Sequence, residues 1–250
     1  MKTTVLGMLF ILLPLGVFSQ KITRQQLINS KKEVLKNAEK YADADAYKNA
    51  LFDLIVLDKE HATAWKDSLA VLYFRAGRFG QAILLTDELL KQDPDNEKYW
   101  EIQAQSYEAL GRIKKAIEWY EKLAERHPDD VVILYRLAWN QYSIKRSEEA
   151  FATLRKINPD SIPAEVKVNL PAAPGKTQAV PLKAAYYNLL GLVSYDLHNL
   201  DMAIQFFDKA LKEFPSFVSA KQNKAALEVM KAKLSGKNNT QNQQAPPSGK

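Results

Sequence analysis

Pro174-Gly175-Lys176-Thr177 ends in the Gly-Lys-Thr of a phosphate-binding loop, whose chemistry is a cradle of backbone N–H groups around phosphate oxygens. Leu170 occupies the position where that loop needs its first glycine, and no strand signal leads in, so the reading fails. His61, His127 and His198 are the only metal-type nitrogens, but they fall at helix ends or turns far apart in the chain. A metal needs ligands that converge, as at i and i+4, and these do not. The paired carboxylates Asp129-Asp130 and Glu148-Glu149 stand where helices should start, where negative charge favours the helix dipole. No serine sits in a nucleophile-elbow setting. We therefore expect no enzyme, no cofactor, no metal and no small-molecule substrate. One set survives: Tyr135, Trp139 and Tyr142 recur at i, i+4 and i+7, on one helical stripe. Buried aromatics of this kind anchor protein interfaces, at about 2 kcal/mol or more each.

The stripe needs a helix, and the chain is built to supply one. Ala82, Ala116 and Ala150 recur every 34 residues, as do Gly77 with Gly111 and Pro94 with Pro128. Self-similarity at this length marks a stack of helix pairs. Between Glu97 and Asp130, Trp100, Ala104 and Tyr107 share one helix face, and Gly111 is the left-handed cap that ends it. A second helix carries Ala116, Ile117, Tyr120 and Leu123 inward, and His127-Pro128-Asp129-Asp130 breaks it. Small residues at Ala104 and Ala116 let the two helices approach while Trp100, Tyr107 and Tyr120 fill the space around them.

These positions resemble the tetratricopeptide repeat, whose pattern is met by Trp100, Ala104, Tyr107, Gly111, Ala116, Tyr120, Leu123 and Pro128, with Leu123 larger than usual. The unit at 63–96 repeats the register with Leu69, Ala70, Tyr73, Gly77, Phe79, Ala82, Leu89 and Pro94. That at 131–157 keeps Leu134, Leu137, Ala138 and Ala150 but has Gln141 for the tyrosine and Lys145 for the glycine. The unit at 184–217 is regular again, with Tyr187, Leu190, Gly191, Ala203, Phe207, Ala210 and Pro215. A divergent unit is expected at 29–61 and a polar-faced capping helix at 218–234. The expected fold is all-α: a right-handed α-solenoid over residues 20–234.

Two segments stand apart. Ala150 and Ala203 are 53 residues apart, so 19 residues have been inserted between those units. The insert, 158–183, holds five prolines and should not be helical, although Val166-Lys167-Val168 alternates like a short edge strand. Residues 235–250 offer nothing apolar to anchor them and are expected to be disordered.

Lys2, an apolar run from Val5 to Phe18 and the small residue Ser19 describe a signal peptide at 1–19. The run is shorter than the roughly twenty residues a membrane span needs, and Pro14 and Gly16 interrupt it. An uncleaved anchor is the rival reading, so membrane contact is expected only indirectly or through this segment. The chain has no cysteine, which excludes disulfides and an acylated lipoprotein cysteine. Export to the periplasm or outer surface of a Gram-negative-type bacterium follows. The net charge of +6 is scattered over helix faces instead of clustered, so no nucleic-acid partner is expected. Asp160-Ser161-Ile162 resembles a bacterial O-glycosylation site, and Asn238-Asn239-Thr240 matches the N-glycosylation pattern.

The resemblance implies a concave groove lined by the first helix of each unit. Carried onto this chain, its residues include Phe74 and Arg75, then Lys98, Glu101, Gln105 and Glu108, then Tyr135, Trp139 and Tyr142, then Asn188 and Tyr195. The family's carboxylate clamp is not matched, because its positions hold Asp67, Val71, Ile102, Val132 and Arg136, of which only the arginine suits. The aromatic stripe keeps three readings: partner anchors, a surface over which the insert folds back, or core. The expected function is a non-catalytic scaffold for a protein or peptide. A self-associating structural protein, or an accessory subunit of a secretion or assembly complex, is the alternative.

Overall fold

The computed structural model describes the backbone of residues 22–242 and the side chains of residues 22–233. Residues 1–19, expected from the sequence to be a signal peptide, and the last residues of the tail lie outside them. Among the described residues there are eleven α-helices and one two-stranded sheet. The chain divides into two compact units between Lys66 and Asp67.

The first unit contains α1 (Arg24–Lys40) and α2 (Ala44–Leu57), packed on each other. Thr23 and Gln26 form a capping box at the start of α1, and Asp43 accepts from the Ala46 N–H at 3.0 Å to start α2. The buried Ile28, Ala38, Ala50, Leu51 and Leu54 form its interior. Below them Asp58 collects three donors: His61 Nδ1 at 2.9 Å, Lys32 Nζ at 3.0 Å and Trp65 Nε1 at 3.3 Å. The His61 contact leads in holding its carboxyl down to about 2, against the effect of its own burial.

Helix α3 (Ala62–Arg75) crosses into the second unit, followed by α4 (Phe79–Leu90), α5 (Glu97–Ala109), α6 (Ile113–Arg126), α7 (Val131–Ser143) and α8 (Ser147–Leu154). After the insert come α9 (Leu182–Asp196), α10 (Leu200–Glu213) and α11 (Val218–Asn242). From α4 onward each helix packs on the next, which is the all-α solenoid the periodicity predicts. The turn within each pair requires a left-handed residue. Gly77 and Gly111 supply it at φ +69°, whereas Lys145 (+65°) and His198 (+61°) occupy the same place in the next two units. Gly191 answers a different need: a Cβ there would lie 2.5 Å from the Phe207 ring, so α9 and α10 meet closely only because it has none.

The insert departs from the expected irregular segment. It opens with a single 3-10 turn at Pro159–Ser161 and then forms an antiparallel hairpin, β1 (Lys167–Ala173) and β2 (Lys176–Pro181), turning at Gly175 with φ +70°. The strand signal at Val166–Val168 is thus the start of a longer ladder. The prolines are tolerated by position. Leu182 N–H donates to Val166 O at 2.8 Å, so Val166, Val168 and Leu170 aim their backbone groups at β2. Pro171 and Pro181 fall on the alternate sites, where the ladder asks for no N–H. Val166, Val168, Leu170 and Val180 join the core formed with Leu134, Ala138, Leu154, Leu182 and Phe217. Helix α11 also runs past residue 234, to Asn242, further than the cap expected from the sequence. No helix among the described residues is long and apolar enough to cross a membrane.

Candidate binding cleft

The groove residues named from the sequence divide by environment. Glu101 and Arg75 are exposed, and exposed Lys98 pairs with Asp67 at 2.7 Å. Phe74 stands edge-on to Phe79 with ring centres 6.0 Å apart, and Gln105 is half-buried. Tyr195 is 40% exposed. Asn188 is in the interior, where it accepts from Asn223 Nδ2 at 3.1 Å.

The aromatic stripe does not form one open surface. Tyr135 is only 4% exposed, whereas Trp139 and Tyr142 are half-buried, with ring centres 6.3 Å apart. Tyr142 lies under Lys145, whose Nζ is 5.4 Å from the ring and also pairs with Asp196 at 3.1 Å. The hairpin packs on α9 and α11 and lies across from this helix. Between them is a cleft of about 350 Å³, within the common range for ligand sites. Glu108, Tyr135, Arg136 and Trp139 form its helical wall, and Lys167–Pro171 of β1 form the other.

A polar network sets the helical wall. Tyr120 donates to Glu108 Oε2 at 2.6 Å, and Arg136 Nη1 reaches the same oxygen at 3.2 Å. Burial pushes the Tyr120 hydroxyl well above its ordinary range, and the Glu108 charge adds to this. Tyr135 is pushed up in the same way, chiefly by burial, and its hydroxyl has no hydrogen-bond partner among the described residues. It is therefore a protonated donor with nothing to donate to. Such a group costs about 1–3 kcal/mol while unsatisfied.

The arrangement offers binding groups and little reactive chemistry. Glu108 is held by two donors. Pro174-Gly175 is the hairpin turn and Lys176 opens β2, so the Gly-Lys-Thr run leads into a strand and not into the helix a phosphate loop requires. His127 pairs with Glu97 at 2.7 Å and His61 with Asp58. The described residues contain no group of three side chains able to hold a metal. Sequence reasoning missed the β1 wall and the part played by Arg136. The alternation of Val166, Val168 and Leu170 was the one available signal for the former.

Three tetratricopeptide-repeat models match the chain, at residues 68–131, 133–161 and 184–217. Superkiller complex protein 3 of Homo sapiens is 24% identical over 143 residues, which is 56% of this chain and 9% of that protein's length. A tetratricopeptide repeat protein from Parabacteroides merdae superposes with a TM-score of 0.62 at 17% identity, covering 83% of this chain and 75% of its own. YrrB, described as a TPR protein with an unusual peptide-binding site, superposes at 0.62 with 14% identity over 81% of this chain and 98% of its own. MamA gives 0.59 at 15% identity over 76% and 92%. Periodicity, helix pairing and these matches agree: the chain is an α-solenoid of tetratricopeptide repeats.

Proposed function

We propose that this protein is a non-catalytic binding scaffold of the bacterial cell envelope, which holds a protein or peptide partner on the concave face of its repeats. The observation that carries the reading is the cleft beside Trp139, where a half-buried aromatic on α7 and the β1 strand face one another across open volume. Aromatic anchors with a few placed polar groups are what peptide sites require. YrrB's peptide-binding site supports the same reading by analogy of fold. Among the groove residues, Phe74, Arg75, Lys98, Glu101, Gln105, Glu108, Tyr142 and Tyr195 are proposed to extend the contact surface, whereas buried Asn188 supports it from behind.

The test is site-specific photocrosslinking in cells. A crosslinker at Gln105 or Trp139 should capture a discrete partner, one at outward-facing Lys122 should not, and Trp139→Ala should reduce capture from Gln105 with helical content unchanged. Equal capture from both faces would refute the groove. Export is tested separately: amino-terminal sequencing of the cell-purified protein should begin at Gln20 if residues 1–19 are removed.

A second reading has one observation in its favour. Val229 is 57% and Met230 42% exposed on α11, an apolar pair suited to self-association. It requires a concentration-dependent oligomer that Val229→Lys dissociates.

A further inference from the structure

The cleft has an uncommon wall. Five consecutive residues of β1 line it, and none of β2 does. A sheet face would present alternate residues and include cross-strand neighbours. Consecutive residues of one strand alone mean that the cleft opens on the edge of the hairpin.

The chemistry of that edge follows from the ladder. Val166, Val168 and Leu170 spend their backbone groups on β2, so Lys167, Asn169 and Pro171 turn theirs the other way. Pro171 has no N–H, and its carbonyl accepts from Ser219 Oγ at 2.6 Å, which closes one end. Among the described residues no hydrogen bond to the backbone N–H or C=O of Lys167 or Asn169 is made from that side. An open edge with unpaired groups is a template for another strand. The hairpin is fixed in place as well: Gln178 Nε2 donates to Ser216 O at 2.9 Å, and Val218 N–H donates to Gln178 Oε1 at 3.1 Å.

The geometry points to strand addition: an extended peptide pairs with the open edge of β1 through Lys167 and Asn169, and lays alternate side chains against Trp139 and Tyr135. This rests on the scaffold reading above and specifies its partner. The edge from Lys167 to Pro171 spans about 14 Å, which takes about four extended residues. Side chains aimed inward meet Trp139, Val168 and Leu170 and should be apolar. Those aimed outward meet the exposed Lys167, for which no ion pair is seen among the described residues, and should include an acidic group. Backbone pairing gives affinity and the alternate pockets give selectivity.

The experiment selects a phage-displayed library of random 12-residue peptides on the full chain and then measures one enriched synthetic peptide. Enriched sequences should alternate apolar and polar residues, with Asp or Glu among the latter. Asn169→Pro removes an N–H that the β1–β2 ladder does not use, and should weaken binding at least tenfold, while Lys167→Glu should weaken it severalfold. Hydrogen exchange at the Lys167 and Asn169 amides should slow on binding. Peptides N-methylated on odd or even residues guard against misfolding of the proline variant, because only one of the two sets should lose binding. Failure to enrich any peptide, or binding indifferent to both Asn169→Pro and N-methylation, overturns strand addition. Binding that survives those changes but is lost in Trp139→Ala overturns only this mode and leaves the groove reading standing. A dimer of the protein that forms through the same edge and resists added peptide also overturns it, because the occupant is then a second copy.

Discussion

The repeat at 97–130 and the one that follows it begin from nearly the same pattern and end in different environments. In the first, Trp100 donates to Pro94 O at 2.9 Å, Tyr120 donates to Glu108, and the buried Ala104 and Ala116 stand where α5 and α6 meet. Lys98 and Glu101 are exposed on its first helix. In the second, Trp139 and Tyr142 are half-buried on α7, and β1 lies across the cleft from Trp139. Gln141 replaces the interior tyrosine and is rescued by Thr153 Oγ1 at 2.8 Å, whereas Tyr135 is buried without a partner. Both repeats bury polar atoms without a partner, Gln103 Oε1 and Ser106 Oγ in the first and Tyr135 Oη and Asn140 Oδ1 in the second, so the difference between them lies in the added strand. A repeat with an aromatic wall and an added strand edge has the makings of a site.

The sharpest way to break this contrast is to remove Tyr120. Tyr120→Ala should cost about 3–5 kcal/mol in chemical denaturation, the range for large buried aromatics; a loss below 1 kcal/mol would show that the regular repeat is less tightly packed than drawn. The two hydroxyls come next. Tyr120→Phe takes from Glu108 one of its two donors and should cost about 1.5–3 kcal/mol, while Tyr135→Phe should be neutral or stabilising by about 1 kcal/mol. If Tyr135→Phe destabilises as much as Tyr120→Phe, the Tyr135 hydroxyl is not unpaired. The turns give a smaller effect. Gly111→Ala meets no atom within 4 Å and so reports strain alone, about 1 kcal/mol. Lys145→Gly should relieve similar strain but gain less, because the exposed pair with Asp196 is lost with it.

The least effect is expected from Asp58, which lies in neither repeat and serves as a control. Its carboxyl is held at about 2, below the roughly 3.9 of an unfolded aspartate. The stabilisation is therefore complete above about pH 4 and disappears as the pH falls through the window down to about 2. Asp58→Asn should flatten acid unfolding in that window only; an unchanged acid profile would mean that the His61, Lys32 and Trp65 contacts do not hold the charged form.

Much of the scaffold was legible because its determinants are local. Gly111 must adopt φ +69° to close its turn, and a proline such as Pro128 must stop a helix, whatever the rest of the molecule does. The hairpin was half-legible. Val166 and Val168 alternate, but proline density argued against a strand until the pairing showed Pro171 and Pro181 on sites that need no N–H. The cleft was the least legible part. Trp139 and Tyr142 could be named from spacing, but spacing does not tell an open anchor from a covered one, and Tyr135 proved covered.

By itself, then, the order of residues determined the period, the pairing of helices and the glycine turns. These depend on backbone sterics and on contacts between neighbours in the chain. Only the tertiary structure decided where the insert lies, because its anchors, Ser216 in the turn before α11 and Val218 and Ser219 at the start of that helix, come about forty residues onward. That long-range closure, which no local propensity encodes, is what turns one aromatic stripe into a cleft with a strand edge across from it.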